Sequence, residues 1–176
     1  MSAYNTETRE ILHLPFRVEW FTDADHEAPW DAEDIPTSQI ITEWTQRDKR
    51  PGELVLATDG RSKRYVDFAE LCSYARAQQW SCEAARNLTP PVTPRQAAAM
   101  AARETFDDWK AWCNNEWHWC GITVTLLDPQ NDDEETTFTA SLWGLRDDED
   151  QVHEEVILDL VRDCLQQVGQ YSTLTR

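Results

Sequence analysis

Glycine is scarce in this chain, five in 176 residues. Phosphate cradles need backbone N–H groups presented without a Cβ in the way. Neither Gly-x-Gly-x-x-Gly, nor a Walker lysine loop, nor a Gly-x-Ser-x-Gly elbow occurs. Nucleotide-dependent chemistry is therefore disfavoured, and no cofactor is implied. Long apolar runs are missing as well. No stretch approaches the roughly 18 uncharged residues of a membrane span. Met1–Leu14 alternates polar and charged residues, with neither the apolar core nor the positive cluster of a secretory leader. The expectation is a cytoplasmic protein with no membrane partner. Five cysteines, Cys72, Cys82, Cys113, Cys120 and Cys164, are odd in number and share no repeated spacing, which suits reduced thiols rather than disulfides. Basic residues are the last deficit: 16 Lys and Arg stand against 33 Asp and Glu, a net charge of −17.

What the chain has in quantity is tryptophan and carboxylate. Nine Trp and 40% apolar residues separate it from disordered acidic chains, which are poor in aromatics. The length fits one domain that buries a core without disulfide or metal staples. Neither an internal repeat nor a domain-splitting linker is apparent, so residues 1–176 are expected to form a single acidic α+β domain.

Phe16 to Phe21 reads as a strand, followed by a polar loop over 22–34. Ile40 to Trp44 and Leu54 to Ala57 are further strands on either side of the turn signal Pro51-Gly52, with Arg64 to Val66 a last one. Asp67, with Glu70 three residues on, has the form of a capping box opening a helix to about Trp80. Thr93-Pro94 opens a long helix to about Trp117, whose stripe of Phe106, Trp109, Cys113 and Trp117 is core. Period two governs Cys120–Leu127 and then Phe138, Ala140 and Leu142, which predicts a hairpin across a loop from Asp128 to Glu135. Gln151 to Val168 reads as an amphipathic helix with Val152, Val156, Leu160, Val161, Cys164, Leu165 and Val168 inward. The predicted fold is α+β: a small antiparallel sheet packed against about three helices, in the order roughly β-β-β-α-α-β-β-α.

Four groups of residues have the right types for chemistry or binding. Cys113, His118 and Cys120 offer three zinc donors, but no second Cys-x-x-Cys or His pair completes a tetrahedral set, so buried thiols are the default. The loop containing Asp23, Asp25, His26, Glu27, Asp31, Glu33 and Asp34 has the types of a divalent-cation or hydrolytic site. It lacks the Gly and terminal-Glu spacing of a calcium loop and any companion motif, and it reads as a solvated acidic loop. Arg47, Lys49, Arg50, Arg61, Lys63 and Arg64, with Trp44 and Tyr65, resemble a basic-aromatic strip for single strands. The acidity of the remainder disfavours direct nucleic-acid binding.

The acids are the most distinctive group. Residues 1–46 carry ten acids and two bases, 47–103 six and ten, and 104–176 seventeen and four. Three clusters stand out as partner-binding candidates. Asp132, Asp133, Glu134 and Glu135 fall in the expected hairpin loop. Asp147, Asp148, Glu149 and Asp150 precede the last helix, where carboxylates favour the N-terminus. Glu155, Asp159 and Asp163 recur every four residues on that helix's outer side, where like charges cost roughly 0.2–0.5 kcal/mol per pair. One use for such a field is imitation of a nucleic-acid backbone. A duplex carries one charge per about 1.7 Å, so a domain about 40 Å across matches some two dozen phosphates, of the order of the excess observed.

Several segments also resemble a known group of sequences: Phe21-Thr-Asp-Ala-Asp-His-Glu-Ala-Pro-Trp-Asp31, Trp44-Thr-Gln-Arg-Asp-Lys-Arg-Pro-Gly-Glu53, Trp112-Cys-Asn-Asn-Glu-Trp117, Gly121-Ile-Thr-Val-Thr-Leu-Leu-Asp128 and Ser141-Leu-Trp-Gly144. They are similar to small acidic proteins encoded by bacteriophages, prophages and mobile elements, over about residues 16–165. That family carries no established activity or catalytic residues. The resemblance implies a context, the host bacterial cytoplasm, where small acidic phage proteins inhibit restriction or CRISPR systems and some resemble DNA in charge. The expected function is a non-enzymatic anti-defence inhibitor whose partner is the basic surface of a host DNA-binding enzyme. Two other readings stay open: a phage regulatory protein that binds its partner through exposed members of Trp30, Trp44, Trp80 and Trp119, and a metal-dependent hydrolase or nuclease using the Asp23–Asp34 loop.

Overall fold

The computed structural model describes residues 2–31 and 35–174; the side chains of Asp132, Asp133 and 170–174 lie outside that description. The chain divides into two compact units, Met1–His26 with Trp117–Arg176, and Glu27–Glu116.

The first unit is an antiparallel sheet in the order β1-β2-β5-β6, built from β1 (Asn5–Ile11), β2 (Leu14–Thr22), β5 (Trp119–Asp128) and β6 (Asn131–Arg146), with helix α5 (Asp150–Leu174) on one face. β1 is a strand the sequence did not announce. Its turn is made by Leu12 and His13, both at positive φ, which is type I′ geometry without the usual Asn or Gly, and its polar residues form a sheet edge. Phe16, Val18 and Trp20 of β2 alternate inward as expected and meet Ile122, Val124 and Leu126 of β5. Ile157, Leu160, Val161 and Cys164 of α5 close this core. Val152, expected inward, is 39% exposed because it lies five residues before Ile157, some 140° around the helix from the buried face.

The β5–β6 hairpin is tighter than the expected loop. Asp128 pairs with Asn131, and the Asp128 carboxylate accepts from the Gln130 amide at 2.8 Å, an Asx turn that closes the connection in two residues. Asp132 to Glu135 therefore lie in β6 and not in a loop. Near the other end of β6 the register shifts opposite Gly121, where Gly144 takes φ 75° and the Trp143 ring lies on Gly121. A Cβ on Gly121 would come within 2.2 Å of that ring.

The second unit contains α1 (Thr37–Ile40), the hairpin of β3 (Glu53–Asp59) and β4 (Ser62–Asp67), and helices α2 (Phe68–Ala77), α3 (Glu83–Arg86) and α4 (Pro94–Cys113). Asp67 caps α2, accepting from the Ala69 and Glu70 amides at 3.0 and 3.1 Å. The helix stops at Ala77, short of Trp80, because Gln79 turns to positive φ. Thr93 and Gln96 form a reciprocal capping box before Pro94. α4 also ends early. Asn114 caps it and Asn115 adopts φ 58°, a left-handed stop. Phe106 and Trp109 are buried and Cys113 packs against their core, as the stripe predicts, whereas Trp117 lies beyond the helix and belongs to the first unit.

Ile40 to Trp44 is not a strand. Ile40 ends α1 with its side chain buried, and the segment after it touches β4 through isolated bridges, Ile41 to Val66 and Thr45 to Lys63. The α+β class is as predicted. The order is β-β-α-β-β-α-α-α-β-β-α, with two separate sheets in place of one.

Candidate functional site

The charge follows the division of the chain. The first unit carries eighteen acids and five bases, −13, and the second fifteen and eleven, −4. Each described Arg of the first unit already holds carboxylate. Arg9 pairs with Glu7 and, at 2.9 Å, with Glu154; Arg17 with Glu135; Arg146 with Asp148 and Glu149; Arg162 with Asp159.

The three acidic clusters fall along one path. Asp132 to Glu135 begin β6, Asp147 to Asp150 follow its end, and the strand between separates them by about 40 Å. α5 then runs back over the sheet: His153 sits against the Arg146 carbonyl and Gln167 donates to the Thr139 carbonyl at 2.9 Å. Glu155, Asp159 and Asp163 are exposed along that return. Glu134 and Glu135 are exposed, and the side chains of Asp132 and Asp133 lie outside the described residues.

The cluster at 147–150 is less free than its sequence suggests. Asp147 is half-buried and accepts from the His118 amide at 2.6 Å. Asp148 takes two bonds from Arg146 at 3.0 Å, which holds its carboxyl below the usual range, and Glu149 lies 3.5 Å from the same guanidinium. Nothing local in the sequence signals that Arg146 gathers its two neighbours.

The other sequence candidates are dispersed or occupied. Asp23 accepts from the Gly144 amide at 3.2 Å and lies 3.6 Å from His26, which packs on Trp119. Glu27 and Asp31 belong to the second unit, and Glu33 and Asp34 lie outside the described residues. Cys113 is likewise in a different unit from His118 and Cys120. Among the described residues no three of these donor types converge on a metal position. In the basic strip, Arg47 makes a double bond pair with Glu53 at 2.7 and 2.6 Å and lies over Tyr65, while Arg64 lies between the rings of Trp30 and Trp44. Of the four indoles considered as anchors, Trp44 is exposed, Trp80 and Trp119 are half-buried and Trp30 is buried; Trp143, not among them, is exposed as well.

Sequence reasoning missed His153, a buried histidine near the start of α5. Its Nε2 lies 2.6 Å from the Arg146 carbonyl and 3.7 Å from the Cys120 sulfur. A Cys–His pair suggests a nucleophile, but its chemistry here points the other way. The carbonyl requires the proton on Nε2, so the nitrogen nearest sulfur is a donor and cannot take the thiol proton. Burial pushes the Cys120 thiol up to about 11, leaving it protonated at neutral pH.

No helix among the described residues is long and apolar enough to cross a membrane. Compared with models of known families, with curated proteins and with solved structures, the chain matches none.

Proposed function

We propose that the carboxylate surface of the first unit binds the basic DNA-binding surface of a protein, competing there with nucleic acid, and that the partner is a bacterial defence enzyme of the restriction or CRISPR type. The observation that carries this reading is the concentration of −13 in one unit whose described arginines are all engaged by its own carboxylates, which leaves acids in surplus over bases there. Acids at the start of β6, just past its end and along α5 spread that surplus over a length of the order of a nucleic-acid groove. The resemblance to phage-encoded acidic proteins supplies the class of partner.

Capture from bacterial lysate on the immobilised protein, eluted with salt, tests the reading. A DNA-binding enzyme should leave the column as salt screens the contact and should be displaced by duplex DNA. Joint replacement of Glu155, Asp159 and Asp163 by Ser should weaken capture while leaving the fold in place, since all three side chains are exposed and the one ion pair lost, Arg162 with Asp159, is on the surface. Retention of the same partner at full strength by that variant, or its indifference to duplex DNA, sinks the proposal.

One observation favours a second reading. Leu142 and Trp143 are both exposed, and Trp143 packs beside Phe21, which makes an aromatic patch on the same unit. A partner held there would resist salt and be lost with Trp143→Ala.

A further inference from the structure

We propose that a cavity in the second unit, where Arg64 lies between Trp30 and Trp44, binds a small carboxylate through the Arg64 guanidinium. This site does not depend on the partner proposed for the first unit. The cavity has a volume of about 200 Å³, below the roughly 300–1,000 Å³ of pockets for drug-sized ligands, so it suits a small acid.

Arg64 stands on β4 two residues before the buried Val66, on the same face of the strand, which brings it to Trp30 of that core. Its guanidinium carbon lies 5.6 Å from the centre of the Trp30 ring and 5.1 Å from that of Trp44. The indole faces answer its charge and give its N–H groups no oxygen. Arg64 Nε is buried with no hydrogen-bond partner, and no carboxylate among the described residues pairs with the guanidinium. A permanently charged group with five donors has thus lost water that no acceptor replaces. Arg47 shows the complete arrangement in the same unit. It lies over the Tyr65 ring, and its fork holds the Glu53 carboxylate at 2.7 and 2.6 Å. Arg64 has the rings without the carboxylate.

The rest of the lining fits an anion with oxygens. Thr37, Ser38 and Thr42 bring three hydroxyls, and that of Thr42 accepts from the Tyr65 amide at 2.9 Å, which leaves its own proton to donate. Asp31 and Glu43, both exposed, also line the cavity and limit the charge it takes. A doubly charged phosphate meets their repulsion twice over. A carboxylate, singly charged with two oxygens in one plane, meets less of it and matches the arginine fork.

Sodium acetate titrated into the isotope-labelled protein at constant ionic strength should shift the indole N–H signals of Trp30 and Trp44 saturably, and sodium chloride should not. Arg64→Lys keeps the charge and loses the fork, and it should weaken acetate binding about tenfold. Arg61→Lys, outside the cavity, should leave the affinity unchanged. The absence of a saturable shift with acetate, or equal shifts with chloride, overturns the site on the native chain, whatever the variant does to the fold. An unchanged affinity in Arg64→Lys overturns the role of the guanidinium. Tighter binding of inorganic phosphate than of acetate overturns the assignment to a carboxylate.

Discussion

Glu53 is a buried carboxylate at the start of β3, and Arg47 meets both its oxygens while the Arg50 amide adds a bond at 2.7 Å. The Arg47 bonds outweigh desolvation and bring the Glu53 carboxyl from its ordinary 4.5 down to about 2. A depressed carboxyl stabilises the fold above its ordinary value and loses that contribution as pH falls through the folded value. Stability should therefore decline between about pH 4.5 and about pH 2, and Glu53→Gln should flatten this part of the urea-midpoint profile while lowering stability at pH 7. An unchanged acid limb in the variant would assign the decline to other carboxylates. Arg47 read as part of a basic strip in the sequence. Its real partner is six residues ahead across a turn, and charge counting along the chain does not pair residues in space.

At the scale of elements, the starts of α2 and α4 are held by side chains named in advance, Asp67 and Thr93, and their ends by backbone that was not. The Thr93–Gln96 box satisfies two backbone amides reciprocally, so Thr93→Ala should cost about 1 kcal/mol, seen as a lower urea midpoint with unchanged slope. Asp67→Ala should act in the same direction on α2, and no loss in either variant would show that these ends fray freely. Caps are legible because they need particular side chains at a fixed spacing. The stops at Gln79 and Asn115 are positive-φ conformations that many sequences can avoid, and the hairpin at Leu12-His13 carries no glycine to mark it. Period two located β5 and β6; in the structure β2 alternates cleanly, whereas β5 is buried on both faces, Thr125 and Leu127 included. β1 was missed because an edge strand of Asn, Thr, Glu and Arg has little apolar alternation to show. The acid clusters were legible as charge. The contact of His153 with Cys120 and the Arg146 carbonyl was not, because it brings the last helix onto β5 and the end of β6, with Cys120 33 residues away in sequence.

At the scale of the whole molecule, the feature with the widest consequence is the way the chain is shared out. The second unit is one continuous segment, Glu27–Glu116, set between the two pieces of the first. β2 needs β5 as its neighbour and α5 as its cover, and both lie after that segment. During synthesis, at the usual rates of 5–20 residues per second, the β1–β2 hairpin leaves the ribosome roughly five to twenty seconds before β5 can reach it. Chains halted shortly after Glu116 emerges should show protease protection across α4 and none at Phe16 or Trp20; equal protection of both would mean that the hairpin finds another shelter. For that interval Phe16, Val18 and Trp20 are uncovered on a nascent chain, and Glu7, Glu10 and Glu19 lie beside them on the two waiting strands. With Arg9 and Arg17 on the same two strands the hairpin carries three acids and two bases, charged side chains that make its open edges a poor template for a neighbouring nascent chain.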